Sequence, residues 1–256
     1  MHPILINLGP IPIRSYGFFI ALGFLAGTWL VKREANRLNQ NSEAILDMAF
    51  WCLLGGIVMS RVFYLFTDIN TYLSDPIRIF KIWEGGLVFY GGFIGAFIVC
   101  VIYIKKYKFE TWKIADIAAP AIALGHSIAR IGCLMAGCCH GKVCELPWAI
   151  TFKAADSIAP LNIPLHPTQI YSSISNFSIF VFLMLIRKKK KFDGQVFWIY
   201  VLIYAILRSI IELFRGDHQR GFFWVFSTSQ TIGILMSVLS VFMLYYLMKK
   251  NKDERN

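Results

Sequence analysis

Three arginines, Arg61, Arg130 and Arg208, stand inside runs of apolar residues. A guanidinium at the centre of a bilayer costs roughly 2.5–3.5 kcal/mol even on a lenient insertion scale, so it normally faces a polar interior and serves a function. Arg208, Glu212 and Arg215 recur at i, i+4 and i+7. That spacing puts them on one helical face, where Glu212 can pair with either arginine. Arg130 has no acid within a helical turn, so its partner is expected to be distant or a ligand. A planar guanidinium in a dry cavity suits a phosphate, which it grips through two parallel hydrogen bonds. In a bilayer the abundant phosphates are lipid headgroups. Two histidines are candidate bases: His126, one turn before Arg130 on the same face, and His166, just before Pro167.

Sulfur is the second reactive group. Cys133, Cys138, Cys139 and Cys144 fall within twelve residues, whereas Cys52 and Cys100 sit in apolar spans and read as core packing. An oxidising outer face would favour a disulfide among the four, closing a loop. Adjacent Cys138 and Cys139 are also a candidate redox pair. With His140 the cluster could bind zinc, but its spacing matches no recognised finger, and no metal or other cofactor is expected.

These groups must be held by the elements around them. Seven apolar stretches, at about 15–31, 44–66, 86–104, 112–134, 168–186, 195–214 and 228–248, each approach the roughly 20 residues that cross a bilayer. Backbone amides in hydrocarbon must pair internally, so the spans are helices. Composition agrees: 57% of the 256 residues are hydrophobic and 16% charged, too little polar surface for a soluble domain of this size. The net charge of +11 is not a nucleic-acid groove, because the basic residues follow apolar runs. Loops after odd-numbered spans hold 16 of the 26 Lys and Arg residues and those on the other side 7. That bias puts the C-terminus in the cytoplasm and the N-terminus outside, with the remaining basic balance meeting anionic lipid.

The expected fold class is therefore an all-α polytopic membrane protein, a single integral membrane domain over residues 1–256. A small extracytoplasmic cap is expected from segments about 67–84 and 135–167, with a short β-like run at Trp148–Phe152. Residues 1–14 contain three prolines and do not read as a cleavable signal. Glycine pairs at Gly55–Gly56, Gly85–Gly86 and Gly91–Gly92, and the Gly91–Gly95 spacing, read mainly as close helix packing.

The ordered motifs resemble those of the prolipoprotein diacylglyceryl transferase family. They run from Ile13-Arg14-Ser15-Tyr16-Gly17-Phe18 through Trp83-Glu84-Gly85-Gly86 and Phe89-Tyr90-Gly91-Gly92 to Ala129-Arg130-Ile131-Gly132. His166-Pro167-Thr168-Gln169, the Arg208–Arg215 repeat and Ser227-Thr228-Ser229-Gln230 complete the set. The resemblance covers nearly the whole chain. It implies transfer of diacylglycerol from phosphatidylglycerol to the lipobox cysteine thiol of lipoprotein precursors, forming a thioether and releasing glycerol phosphate. It further implies a multi-pass protein of the bacterial cytoplasmic (inner) membrane, whose partners are the bilayer, phosphatidylglycerol and the precursor, with no nucleic acid. The catalytic residues implied are Arg130, Tyr90, Arg208 and His126. The substrate-binding set is Arg130, Tyr16, Gly91, Gly92, Glu212, Arg215, His166 and Gln169. The chain departs from the family pattern where Tyr90 replaces a usual His, Cys133 a usual Asn and Cys138 a usual Glu. Those departures leave two other classes in view, a membrane thiol-redox or metal-dependent protein using Cys133, Cys138 and Cys139, and a transporter. No two-fold hydropathy repeat of the transporter kind is visible.

Overall fold

The computed structural model describes residues 2–8, 11–67, 86, 88–216, 222–223 and 226–254. Seven helices in it are long and apolar enough to cross a membrane. In chain order they are α1 (Ser15–Arg37), α2 (Ser42–Thr67), α3 (Phe89–Tyr107), α4 (Thr111–Ala136), α5 (Thr168–Ile186), α6 (Gln195–Glu212) and α7 (Thr228–Asp253). The protein is an all-α, multi-pass membrane protein, and each expected span corresponds to one of these helices. Beyond Thr67, the expected cap segment 67–84 lies outside the described residues.

Short antiparallel ribbons decorate the helices. β1 (Ile4–Leu8) pairs with β2 (Ile11–Arg14), β3 (Ile150–Thr151) with β4 (Pro164–Leu165), and β5 (Phe222–Phe223) with β6 (Phe226–Ser227). The run expected at Trp148–Phe152 is thus a strand of two residues, with Phe152 forming only an isolated bridge to Leu161. The first ribbon was not expected from the three prolines, and it leads straight into α1. There Ser15 Nα donates to the Pro3 carbonyl at 2.9 Å and its hydroxyl donates to the His2 carbonyl.

The chain forms two compact units, residues 31–111 and residues 1–30 with 112–256. In the first, α2 and α3 meet through glycine. A Cβ on Gly92 would lie 3.4 Å from the Gly56 carbonyl oxygen, and one on Gly56 would lie 3.3 Å from that of Gly92. Gly95 similarly abuts the Gly55 carbonyl, and Gly91 abuts Met59 and Phe63. Small residues let the backbones approach and gain dispersion contact that lipid-facing Leu could not supply. Arg61 is 6% exposed. Its guanidinium donates to the Gly86 carbonyl at 3.1 Å and lies 5.6 Å from the Tyr64 ring centre, anchoring the approach to α3.

In the second unit α4 is central. Ala119 and Ala123 pack with Ile179 and Leu183 of α5 and Val196 and Tyr200 of α6. On its α1 side, Gly125 lies so close that a Cβ there would sit 3.1 Å from the Gly23 carbonyl oxygen. Large apolar side chains such as Phe93, Phe97, Leu235 and Val238 are each at least 60% exposed. That inverts the rule for soluble proteins and fits a chain whose outer solvent is hydrocarbon.

Asp116, near the start of α4, was not singled out by sequence. Its carboxylate accepts hydrogen bonds from Gly194 Nα and Phe197 Nα at 2.9 Å each and from Lys190 Nζ at 2.9 Å. It therefore caps the N-terminus of α6 from a neighbouring helix, a job ordinarily done by a local Ser, Thr, Asn or Asp. Gly194 at that N-cap has φ +90° and offers no side chain of its own. Asp116→Ala is expected to remove roughly 2–3 kcal/mol of stability. The check is a thermal melt in detergent, in which an unshifted midpoint would refute the capping role.

Candidate active site

The polar residues of the second unit converge around one end of α4. Arg130 Nε donates to His126 Nε2 at 3.1 Å, and one terminal NH2 group of Arg130 lies 3.9 Å from Cys133 Sγ. One helical face thus carries imidazole, guanidinium and thiol in order, because positions 126, 130 and 133 are one turn apart. Across from them on α6, Arg208 pairs with Glu212 at 2.5 Å and donates to Ser229 Oγ of α7 at 3.2 Å. The Ser229 motif is itself a helix start. Ser227 Oγ accepts from Gln230 Nα, and the Gln230 amide oxygen accepts from Ser227 Nα, a reciprocal capping box.

His126, Arg130 and Arg208 line one cavity with Ser172, Ser175, Asn176, Tyr204, Leu207 and Ile211. Its volume is about 10 Å³, room for about one water. In this conformation the two guanidiniums enclose a polar centre that a phosphate group could enter only by opening the helices. A larger open groove of about 350 Å³ lies between α6 and α7, lined by Ile206, Ile210, Leu213 and Ile234 together with Ser209, Gln230, Gly233 and Ser237. It is wide and apolar enough for a lipid chain.

The Arg208–Glu212 pair foreseen from the spacing is formed. Arg215 is nearly buried; its backbone bridges to Gly141, and the flanking Phe214 carbonyl accepts from Lys142 Nα at 2.8 Å. His166 has its ring against Phe214, centroids 5.2 Å apart, and its Nδ1 lies 3.3 Å from the Tyr171 hydroxyl. Gln169 is buried, and its amide donates to the Cys138 carbonyl at 2.9 Å, while Thr168 Oγ1 donates to the Cys139 carbonyl at 2.7 Å. Both residues hold the cysteine loop. Tyr16 is partly exposed, with its backbone against Gly132. Tyr90, Gly91 and Gly92 belong to the other unit, where Tyr90 is 58% exposed and the glycines form the α2–α3 seam.

All six cysteines are free thiols. Cys133, Cys138 and Cys139 have sulfurs within 4.8 Å of one another, and neither Cys144 nor His140 is in that group. Cys144 instead continues a strand-like bridge, its Nα donating to the Pro164 carbonyl, so the expected loop-closing disulfide is not formed. Beyond the end of α4 the thiols polarise one another. Cys139 is drawn below its ordinary range by hydrogen bonds from Cys133 and Cys138, with Arg215 and Arg130 adding positive charge. Cys138 is pushed up by its hydrogen bonds to the other two and by burial.

Several lining residues escaped the sequence reading. Ser172 and Asn176 stand at i and i+4 on α5, and both are buried. Tyr204, one turn before Arg208, packs on His126 with centroids 5.5 Å apart. A polar stripe on an apolar span was the available signal for the first set.

Fold and site together define a multi-pass membrane protein with an arginine-lined polar centre buried between its helices. The family model described as prolipoprotein diacylglyceryl transferase matches residues 3–246, and the chain belongs to that family. It is similar to the phosphatidylglycerol–prolipoprotein diacylglyceryl transferase of Clostridium tetani, 39% identical over 242 residues, covering 94% of this chain and 96% of the relative. The second enzyme of that name in Clostridium perfringens is 34% identical, with 100% and 98% covered. That of Geobacter sulfurreducens is 32% identical, with 95% and 94% covered.

Proposed function

We propose that this chain is a transferase that moves diacylglycerol from phosphatidylglycerol to the lipobox cysteine thiol of lipoprotein precursors. The observation that carries the reading is the intramembrane cavity on which Arg130 and Arg208 converge, in a chain that matches its enzyme relatives over nearly its whole length. The thiolate of the acceptor attacks the carbon of the diacylglycerol portion that bears the phosphate. A C–S bond forms, the C–O bond breaks, and glycerol phosphate leaves with the electron pair. Two guanidiniums aimed at the phosphate stabilise the charge that develops there, in a site where low dielectric strengthens the interaction. Glu212 sets the orientation of Arg208, and the groove between α6 and α7 receives an acyl chain. Tyr16, His166, Gln169 and Arg215 are proposed to bind the substrate. Tyr90 is proposed as a catalytic residue, and Gly91 and Gly92 as substrate-binding residues, of the same reaction.

His126 is a poor candidate base in this geometry, because its Nε2 lone pair is already engaged by Arg130. The acceptor thiol starts near pKa 8.5, so modest assistance suffices to form the nucleophile. The test is transfer of labelled diacylglycerol from phosphatidylglycerol vesicles to a lipobox peptide by the purified full-length protein, alongside rescue of cells depleted of their own transferase. Product with a Cys peptide and none with its Ser counterpart is expected; a folded protein that gives no product would overturn the reading.

The proposed setting is the bacterial cytoplasmic (inner) membrane, with the N-terminus outside. Reporter fusions after Lys106 and Lys190 are expected to report cytoplasm, and those after Asp75 and Lys153 the outside. Reversal at any two sites would refute the orientation drawn from the basic-residue bias.

A further inference from the structure

We propose that Cys133, Cys138 and Cys139 form a three-thiolate site for a soft divalent cation, zinc foremost, whose fourth coordination position takes the thiol of the acceptor peptide. The second half rests on the transferase reading; the first half does not.

The geometry comes first. Zinc holds sulfur at about 2.3 Å, so three thiolates around one ion lie roughly 3.8–4.0 Å apart. The three sulfurs here already lie within 4.8 Å of one another, so closing on an ion takes shifts of under about 1 Å. Neighbouring side chains in a regular strand point to opposite sides, yet Cys138 and Cys139 both turn towards Cys133. The backbone is bent to achieve this. Gly137 has φ +77° and Cys139 φ +60°, and the latter is a left-handed conformation that non-glycine residues seldom adopt. A Cβ at position 137 would also strike Ser157 Oγ, so the turn is fixed by packing as well as by φ.

The loop is held from outside as metal ligands usually are. Gln169 and Thr168, both 1% exposed, donate to the Cys138 and Cys139 carbonyls, and such supporting contacts orient ligands. Charge also balances. Three thiolates and a divalent ion carry one net negative charge, and the Arg130 guanidinium lies 3.9 Å from Cys133 Sγ to offset it.

Among the described residues the group offers three ligand atoms and no fourth. Three protein ligands with one position open is the pattern of catalytic zinc sites, whereas structural sites are closed by four. A thiol that coordinates such an ion is deprotonated outright. The proton passes to solvent, the metal keeps its oxidation state, and the sulfur is left as the nucleophile that the reaction needs. Arg130 reaches both the cavity and Cys133, so a thiol on the metal would lie beside a phosphoester gripped by that arginine.

The test uses full-length protein purified in lipid nanodiscs under reducing conditions. Elemental analysis should find one zinc per chain. Replacement by cobalt should give the sulfur-to-metal charge-transfer absorption of a thiolate-rich tetrahedral site. Cys133→Ser, Cys138→Ser and Cys139→Ser should each weaken cobalt binding at least tenfold, and Cys52→Ser should leave it unchanged. Adding a lipobox Cys peptide should shift the cobalt spectrum, and the Ser peptide should not. No metal in a folded protein whose three thiols label freely overturns the proposal, as does a pair of thiols that label only after reduction. Metal binding with a spectrum indifferent to the Cys peptide overturns the open position. Full transfer by the metal-free protein sinks the metal's role while leaving the transferase intact; metal and peptide binding without transfer sinks the transferase reading and leaves the site standing.

Discussion

Arg130→Ala is expected to lower diacylglyceryl transfer at least a hundredfold, about 2.7 kcal/mol of transition-state stabilisation. The residue sits where three parts of the site meet. Its Nε is spent on His126, while a terminal group borders Cys133 and the side chain lines the cavity shared with Arg208. Arg130→Lys should recover little, remaining at least about tenfold below wild type, because an ammonium cannot grip two phosphate oxygens in one plane. The effect should appear mainly in kcat, since charge on the leaving phosphate is greatest in the transition state. Labelled-lipid transfer, run on protein shown to melt like wild type, makes the measurement. Full activity in Arg130→Ala would remove this residue from the site.

The spans were legible because hydrocarbon leaves the chain little choice. About twenty apolar residues with internally bonded amides can only be a helix, and all seven expected stretches overlap observed helices. The Arg208–Glu212 pair was legible for a similar reason, since i, i+4 spacing places both groups on one face and burial forces them together. The small ribbons were not. Two-residue strands such as β3 carry no period to read, and β1–β2 lies across prolines that point to turns. Asp116 escaped because its partners are 78 and 81 residues away in sequence. The cysteine trio was visible in the sequence, where Cys133, Cys138 and Cys139 were set apart for a redox or metal role, but spacing also left Cys144 in view for a disulfide. What selects Cys133, Cys138 and Cys139 is the left-handed turn at Cys139 and the grip of Thr168 and Gln169, both tertiary facts. Those two residues appeared in the sequence as part of a family motif. Their contacts give that motif a physical role beside the helix α4 terminus.

Glu212→Gln is expected to destabilise the protein by roughly 3–5 kcal/mol, because removing one partner of a buried ion pair strands the other. The Glu212 side chain is 7% exposed and that of Arg208 is 15% exposed, so water cannot replace the lost charge. The cavity that Arg208 lines also holds Arg130, and losing a carboxylate leaves like charges facing one another in low dielectric. Glutamine keeps the shape and an accepting oxygen, which makes the loss one of charge and not of packing. The expected results are a lower melting midpoint in detergent and a smaller folded yield. A second variant separates structure from chemistry. Arg208→Met with Glu212→Leu replaces both charges by apolar groups of similar reach, and a buried pair so replaced is often as stable as the original or more so. The double variant should regain most of the melting temperature lost by Glu212→Gln while its transfer activity stays low, since one phosphate-facing guanidinium is gone. Should Glu212→Gln instead accumulate and melt like wild type and yet be inactive, the carboxylate acts in the reaction itself, and its place is with Arg130 among the catalytic groups.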